Sequence, residues 1–119
     1  MIPSFLLAKL YVKGSLKNTG VGFEFALKNI IDSTMLIGIG PISVGEKNYE
    51  GEAITMTTGD KTVSGAELSR QNPIPVRMGV PMKVSVAGDS ISAGMQKITV
   101  AATTSDIGKI KFEINDIVP

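Results

Sequence analysis

The sequence predicts an all-β fold: an antiparallel two-sheet β-sandwich of jelly-roll or immunoglobulin-like topology, with about eight short strands and at most one short helical turn. Three observations carry that expectation. Apolar residues alternate with period two in several windows. Turns that combine Gly with Asn, Asp or Ser fall where the alternation stops. No long stretch repeats apolar residues at helical spacing, which argues against strands joined by crossover helices.

The elements follow in order. Residues 6–12 alternate partly and read as an irregular first strand. Residues 22–28 put Phe23, Phe25 and Leu27 on one face, with Glu24 and Lys28 on the other. Residues 35–44 are apolar on both sides and interrupted by Gly38 and Gly40, as in a strand buried on both faces or bent by a bulge. Residues 53–58 and 74–80 are shorter strands, and Pro73 and Pro75 place the second on a sheet edge. Residues 82–87 turn Met82, Val84 and Val86 inward. Residues 97–103 do the same with Ile98, Val100 and Ala102. Residues 109–115 do it with Ile110, Phe112 and Ile114. Ser64-Gly-Ala-Glu67 fits a capping box, so one helical turn is expected there, ended by Asn72-Pro73.

The 119 residues are read as a single domain, 1–119. A chain of that length buries roughly two thirds of its unfolded surface and needs no staple to fold. It contains no Cys and no His. Disulfides, thiolate nucleophiles, the commonest general base and the commonest transition-metal ligand are therefore missing. Trp is absent and aromatics make up 5%, which counts against a stacking platform for sugars or bases. Lys+Arg 12 against Asp+Glu 11 leaves +1, with no basic footprint for nucleic acid or an anionic membrane. Gly38-Ile-Gly40 precedes Pro41 and an extended segment, so no helix start is available to hold a phosphate. No serine-hydrolase or Ser-Lys motif occurs. The expectation is no catalytic residue, no metal and no cofactor.

Residues 1–9 lack a basic leader, and Lys9 interrupts their apolar run. The uncharged stretch 33–45 is too short to cross a bilayer as a helix. A cytoplasmic location is expected. Hydrophobic residues reach 43% while charged residues are 19%, below the roughly 25% of an average domain. Either strands are buried on both faces, or part of the surface is apolar because it meets a partner.

Gly14-Ser-Leu-Lys-Asn-Thr19, Gly22-Phe-Glu-Phe25 and Leu27-Lys-Asn29 resemble the N-terminal part of the small β subunit of C-glycoside deglycosidases. A later glycine turn, Val44-Gly45, is similar as well. The resemblance covers roughly the first third of the chain. It implies a β-sandwich subunit docked on a larger, metal-dependent subunit of sugar-isomerase-like barrel fold. It also implies that the complex cleaves the carbon–carbon bond between a sugar and an aromatic aglycone, with the chemistry mainly in the partner. No catalytic residue of that family maps to a position here.

The expected function is association: a non-catalytic sandwich that is either the small subunit of a larger enzyme or a homo-oligomer. Polar groups at strand ends are the candidate contacts, namely Asn29, Asp32, Asn72 and Arg77. Asn29-Ile-Ile-Asp32 breaks the alternation just after a clear strand. Asn72-Pro-Ile-Pro-Val-Arg77 is conformationally restricted and could present its side chains rigidly. The alternative is a standalone small-molecule or carbohydrate-binding module, for which Tyr11 and Tyr49 are the aromatics to inspect.

Overall fold

Alternation in the chain becomes alternation in burial. In β2 (Gly22–Lys28) Phe23, Phe25 and Leu27 are buried while Lys28 is exposed. In β8 (Pro81–Ala87) Met82, Val84 and Val86 are buried between exposed Pro81, Lys83 and Ala87. The inward residues of β9 (Gly94–Thr104) and β10 (Gly108–Val118) follow the same rule, with Ile98, Val100, Ala102, Phe112 and Ile114 in one core.

A computed structural model describes residues 3–119 of the chain. Two antiparallel sheets face each other across that core. The first has the order β1-β2-β8-β5-β6, with β1 at Lys17–Asn18, β5 at Ile54–Thr58 and β6 at Lys61–Ser64. The second has the order β10-β9-β3-β4, with β3 at Thr34–Val44 and β4 at Lys47–Tyr49. The short β7, Ile74–Val76, pairs only with β3, which is the edge position its prolines require. Ten strands are present among the described residues, against about eight expected.

Glycine is needed at one close approach and at one turn. A Cβ at Gly22 would lie 1.9 Å from the Val86 carbonyl oxygen, so only glycine lets β2 pair with β8 there. Gly45 has φ +60 in the turn between β3 and β4, a conformation that favours glycine at no steric cost. The interrupted strand is a bent one. Pairing of β3 with β9 shifts between Leu36 and Gly38 and again between Ile39 and Ile42, as bulges at glycine do.

Three expectations change. Residues 6–12 do not form a strand. Ser4–Leu7 is a helical turn, α1, continued by a 3-10 turn at Ala8–Leu10. Leu7 and Leu10, three apart, share a face at that pitch and turn toward the core. Only Tyr11 makes a bridge, to Leu27. Second, the capping box forms without a helix. Ser64 N–H donates to Glu67 Oε1 at 3.2 Å, and Glu67 N–H donates to Ser64 Oγ at 3.3 Å. Ser69 and Asn72 then close a turn on each other, and the segment stops. A second 3-10 turn instead occupies Gly51–Ala53. Third, the strand expected over 74–80 ends at Val76, and the chain turns at Gly79, φ +81. The reading of residues 1–9 falls partly outside the described residues, at positions 1 and 2.

Candidate functional site

Both sheets leave off at one end of the sandwich, where β2 finishes at Lys28, β8 begins at Pro81, β3 begins at Thr34 and β9 finishes at Thr104. There they part around a cleft of about 70 Å³. Leu27 and Met82 line it from the first sheet. Leu36, Val100, Ala102 and Phe112 line it from the second, and Leu7 and Leu10 from the N-terminal turns. Ile31, Asp32, Thr34 and Ile107 stand at its mouth.

Asn29 holds this mouth in shape. Its side chain is 6% exposed. Its Nδ2 donates to the Asp32 carbonyl at 2.5 Å and to the Val76 carbonyl at 3.0 Å. Its Oδ1 accepts from Ile31 N–H at 3.0 Å, and its own carbonyl accepts from Gly79 N–H at 2.8 Å. A buried amide with such partners joins two segments, the loop from β2 to β3 and the chain from the end of β7 to β8. Asp32 Oδ1 accepts from Ser33 N–H at 2.8 Å. Across the mouth the Thr34 hydroxyl donates to Asp106, tying the start of β3 to the loop between β9 and β10.

The four candidate contacts therefore separate. Asn29 and Asp32 meet at the cleft, one as a buried strut and the other exposed at the mouth. Arg77 is exposed immediately after β7, beside Val76, which also lines the cleft. Asn72 lies before β7 and away from the mouth. It donates through Nδ2 to the Glu67 carbonyl at 2.9 Å and serves its own turn.

Sequence reasoning missed the apolar residues around this end. Ile30 is 53% exposed, Met78 52%, Ile107 41% and Val80 37%. A parallel bridge between Asn29 and Met78 brings two of these segments together. Two adjacent isoleucines, Ile30 and Ile31, were the available signal, because neighbouring residues in an extended chain point to opposite sides. Among the methionines, Met56 on β5 and Met82 on β8 are core, whereas Met78, beyond the end of β7, and Met95 on β9 are exposed.

The two tyrosines do not form a paired exposed platform. The Tyr49 ring packs edge-on against Phe23 with centroids 5.8 Å apart. The Tyr11 ring lies 6.4 Å from Phe25. Its hydroxyl donates to Asp116 Oδ2 at 2.5 Å and accepts from Leu16 N–H at 3.1 Å. Gly14 N–H also donates to Asp116 Oδ2, at 2.7 Å. The phenol, then the Gly14 amide and the Ile117 amide, which donates to Oδ1 at 2.7 Å, hold the Asp116 carboxyl below the usual carboxylate range, and burial raises the Tyr11 phenol. This clasp fastens the N-terminal segment to β10.

Among the described residues no three His, Cys, Asp or Glu side chains gather as a metal site. No helix there is long and apolar enough to cross a membrane. A family model described as "Hydroxymethylglutaryl-CoA reductase, N-terminal domain" matches residues 6–119. No curated protein matches the chain.

Proposed function

The chain belongs to the family of hydroxymethylglutaryl-CoA reductase N-terminal domains, and from that premise we propose that it is a non-catalytic β-sandwich that docks on the catalytic body of a larger enzyme. The observation that carries this reading is the group of exposed apolar side chains on the segments that flank the cleft, Ile30, Met78, Val80 and Ile107, of which Ile107 also lines it. Apolar groups that remain in water at one end of a molecule gain free energy when a partner covers them. Asp32, Asp106 and Arg77 supply the polar rim that gives such a contact its orientation.

The reductase reading and the deglycosidase resemblance propose different catalytic bodies. The family match spans residues 6–119, whereas the resemblance rests on the first third. Its clearest motif, Gly22-Phe-Glu-Phe25, consists largely of packing residues: Gly22 allows the β2–β8 approach, and Phe23 and Phe25 fill the core. Those positions speak for a common sandwich more than for common chemistry. A reductase body is therefore the first choice, and a carbon–carbon-cleaving, sugar-processing body the second. In either case the complex is read as cytoplasmic.

The test is capture from the source cells with the tagged full chain, beside the Ile30→Asp/Met78→Asp double variant. The account expects one larger enzyme held in stoichiometric amount by the unmodified chain and lost from the double variant, with the two melting temperatures equal. Assay of the captured enzyme decides between reductase and lyase. Retention by the double variant, or self-association of the chain with no larger enzyme, would contradict the proposal.

A further inference from the structure

The cleft at the docking end restricts what can enter it. Its volume is about 70 Å³, roughly half that of an engineered apolar cavity of about 150 Å³ that holds benzene. By the same ratio it takes about three carbons, the tip of a leucine side chain, and no aromatic ring. Its enclosed polar neighbours are already paired, and the Asp32 carboxylate stands outside them at the mouth. Asn29 makes the bonds described above. Thr104 Oγ1 donates to the Gly108 carbonyl at 3.2 Å and accepts from Ile107 N–H at 3.0 Å. Among the described residues no buried side-chain nitrogen or oxygen lacks a partner. A polar ligand would therefore be desolvated inside, past Asp32, with nothing to bond.

Size also separates a free molecule from an anchored one. A ligand of three or four heavy atoms binds no tighter than tens of micromolar, even at the ceiling for the smallest ligands. A side chain carried on a protein surface needs no such affinity of its own. The apolar residues around the mouth continue the contact outward, as they do around an anchor in its pocket.

We infer that the cleft is the socket for one leucine-sized aliphatic side chain of the catalytic body, and that this anchor fixes how the two dock. The inference rests on the docking reading above. Ala102, inward on β9 and lining the cleft, is the place to test it. Leucine at that position fills the socket from within.

The captured enzyme is titrated with the unmodified chain, with Ala102→Leu, with the Ile30→Asp/Met78→Asp variant, and with Ala101→Leu, which enlarges the opposite face of β9. Expected is a loss of at least about tenfold in affinity for Ala102→Leu, a hot-spot effect, with no fall in its melting temperature. Ala101→Leu should bind unchanged. Full affinity in Ala102→Leu alongside loss in the rim variant would overturn the socket and leave the docking reading standing. Full affinity in both would overturn the docking reading itself. Should Ala102→Leu not fold, nuclear magnetic resonance of the unmodified chain decides. Addition of N-acetyl-leucine amide should shift the Leu36, Ala102 and Ile110 methyls, and N-acetyl-tryptophan amide should not. Equal shifts from both, or none from the first, would overturn the inference.

Discussion

Asp116 shows how one side chain can set the pH range of the fold. It lies on β10 with 9% of its surface exposed, and it accepts from the Tyr11 hydroxyl and from Gly14 N–H. Its folded pKa is lowered, chiefly by the Tyr11 hydrogen bond and then by the Gly14 amide. The native state therefore binds fewer protons than the unfolded chain over that interval. The stabilisation is complete above the unfolded value of about 3.9 and is lost as pH falls through the folded value. Tyr11 behaves in the opposite sense. Its pKa is raised by burial and then by Asp116, so its contribution is complete below the unfolded value of about 10 and is lost as pH rises through the folded one. Denaturant midpoints measured against pH should fall at both extremes. In Asp116→Asn the fall near pH 4 should shrink; an unchanged acid limb would contradict this account. None of this was legible beforehand, because residues 11 and 116 meet only in the fold. Asn29 was partly legible. The break in alternation after Leu27 marked it, but the sequence could not show that its amide is buried and fully bonded rather than free for a partner. A buried amide left without such bonds costs about 1–3 kcal/mol, so its first role is to hold the mouth.

At the scale of elements, the strands were legible wherever one face is buried and the other wet. Period two is then written into the residues, as in β2, β8 and β10. Residues 6–12 were misread for a physical reason. A segment that closes the open side of a sandwich is apolar on the side facing the core, and over so few residues strand and helical spacing look alike. Leu7, buried at 3%, is its main attachment to the core, together with the Asp116 clasp. Leu7→Ala should cost about 2–5 kcal/mol in denaturant unfolding, the range for a buried leucine. A cost under about 1 kcal/mol, well below that range, would mean that α1 rests on the sandwich without closing it. The capping box at Ser64 and Glu67 teaches a related point. Its hydrogen bonds form as the pattern demands, yet a helix also needs following residues that can extend it, and Asn72-Pro73 prevents that.

At the scale of the molecule, the apolar composition left two explanations open, and each accounts for part of it. Much of it is a well-filled core shared by both sheets. The remainder includes Ile30, Met78, Val80 and Ile107, exposed at the end where the sheets part. The fold class was legible because periodicity and turn chemistry are local. The apolar end was not, since it gathers loops some 80 residues apart, from Ile30 to Ile107, and no linear spacing encodes that meeting.

On the reading proposed above, this end meets the catalytic body. Hydrogen–deuterium exchange of the chain, alone and in its native complex, tests it most directly. Protection should be gained at residues 29–34, 77–80 and 105–107. Protection confined to the opposite end, around Val21 and Ser90, or no gain anywhere, would contradict it.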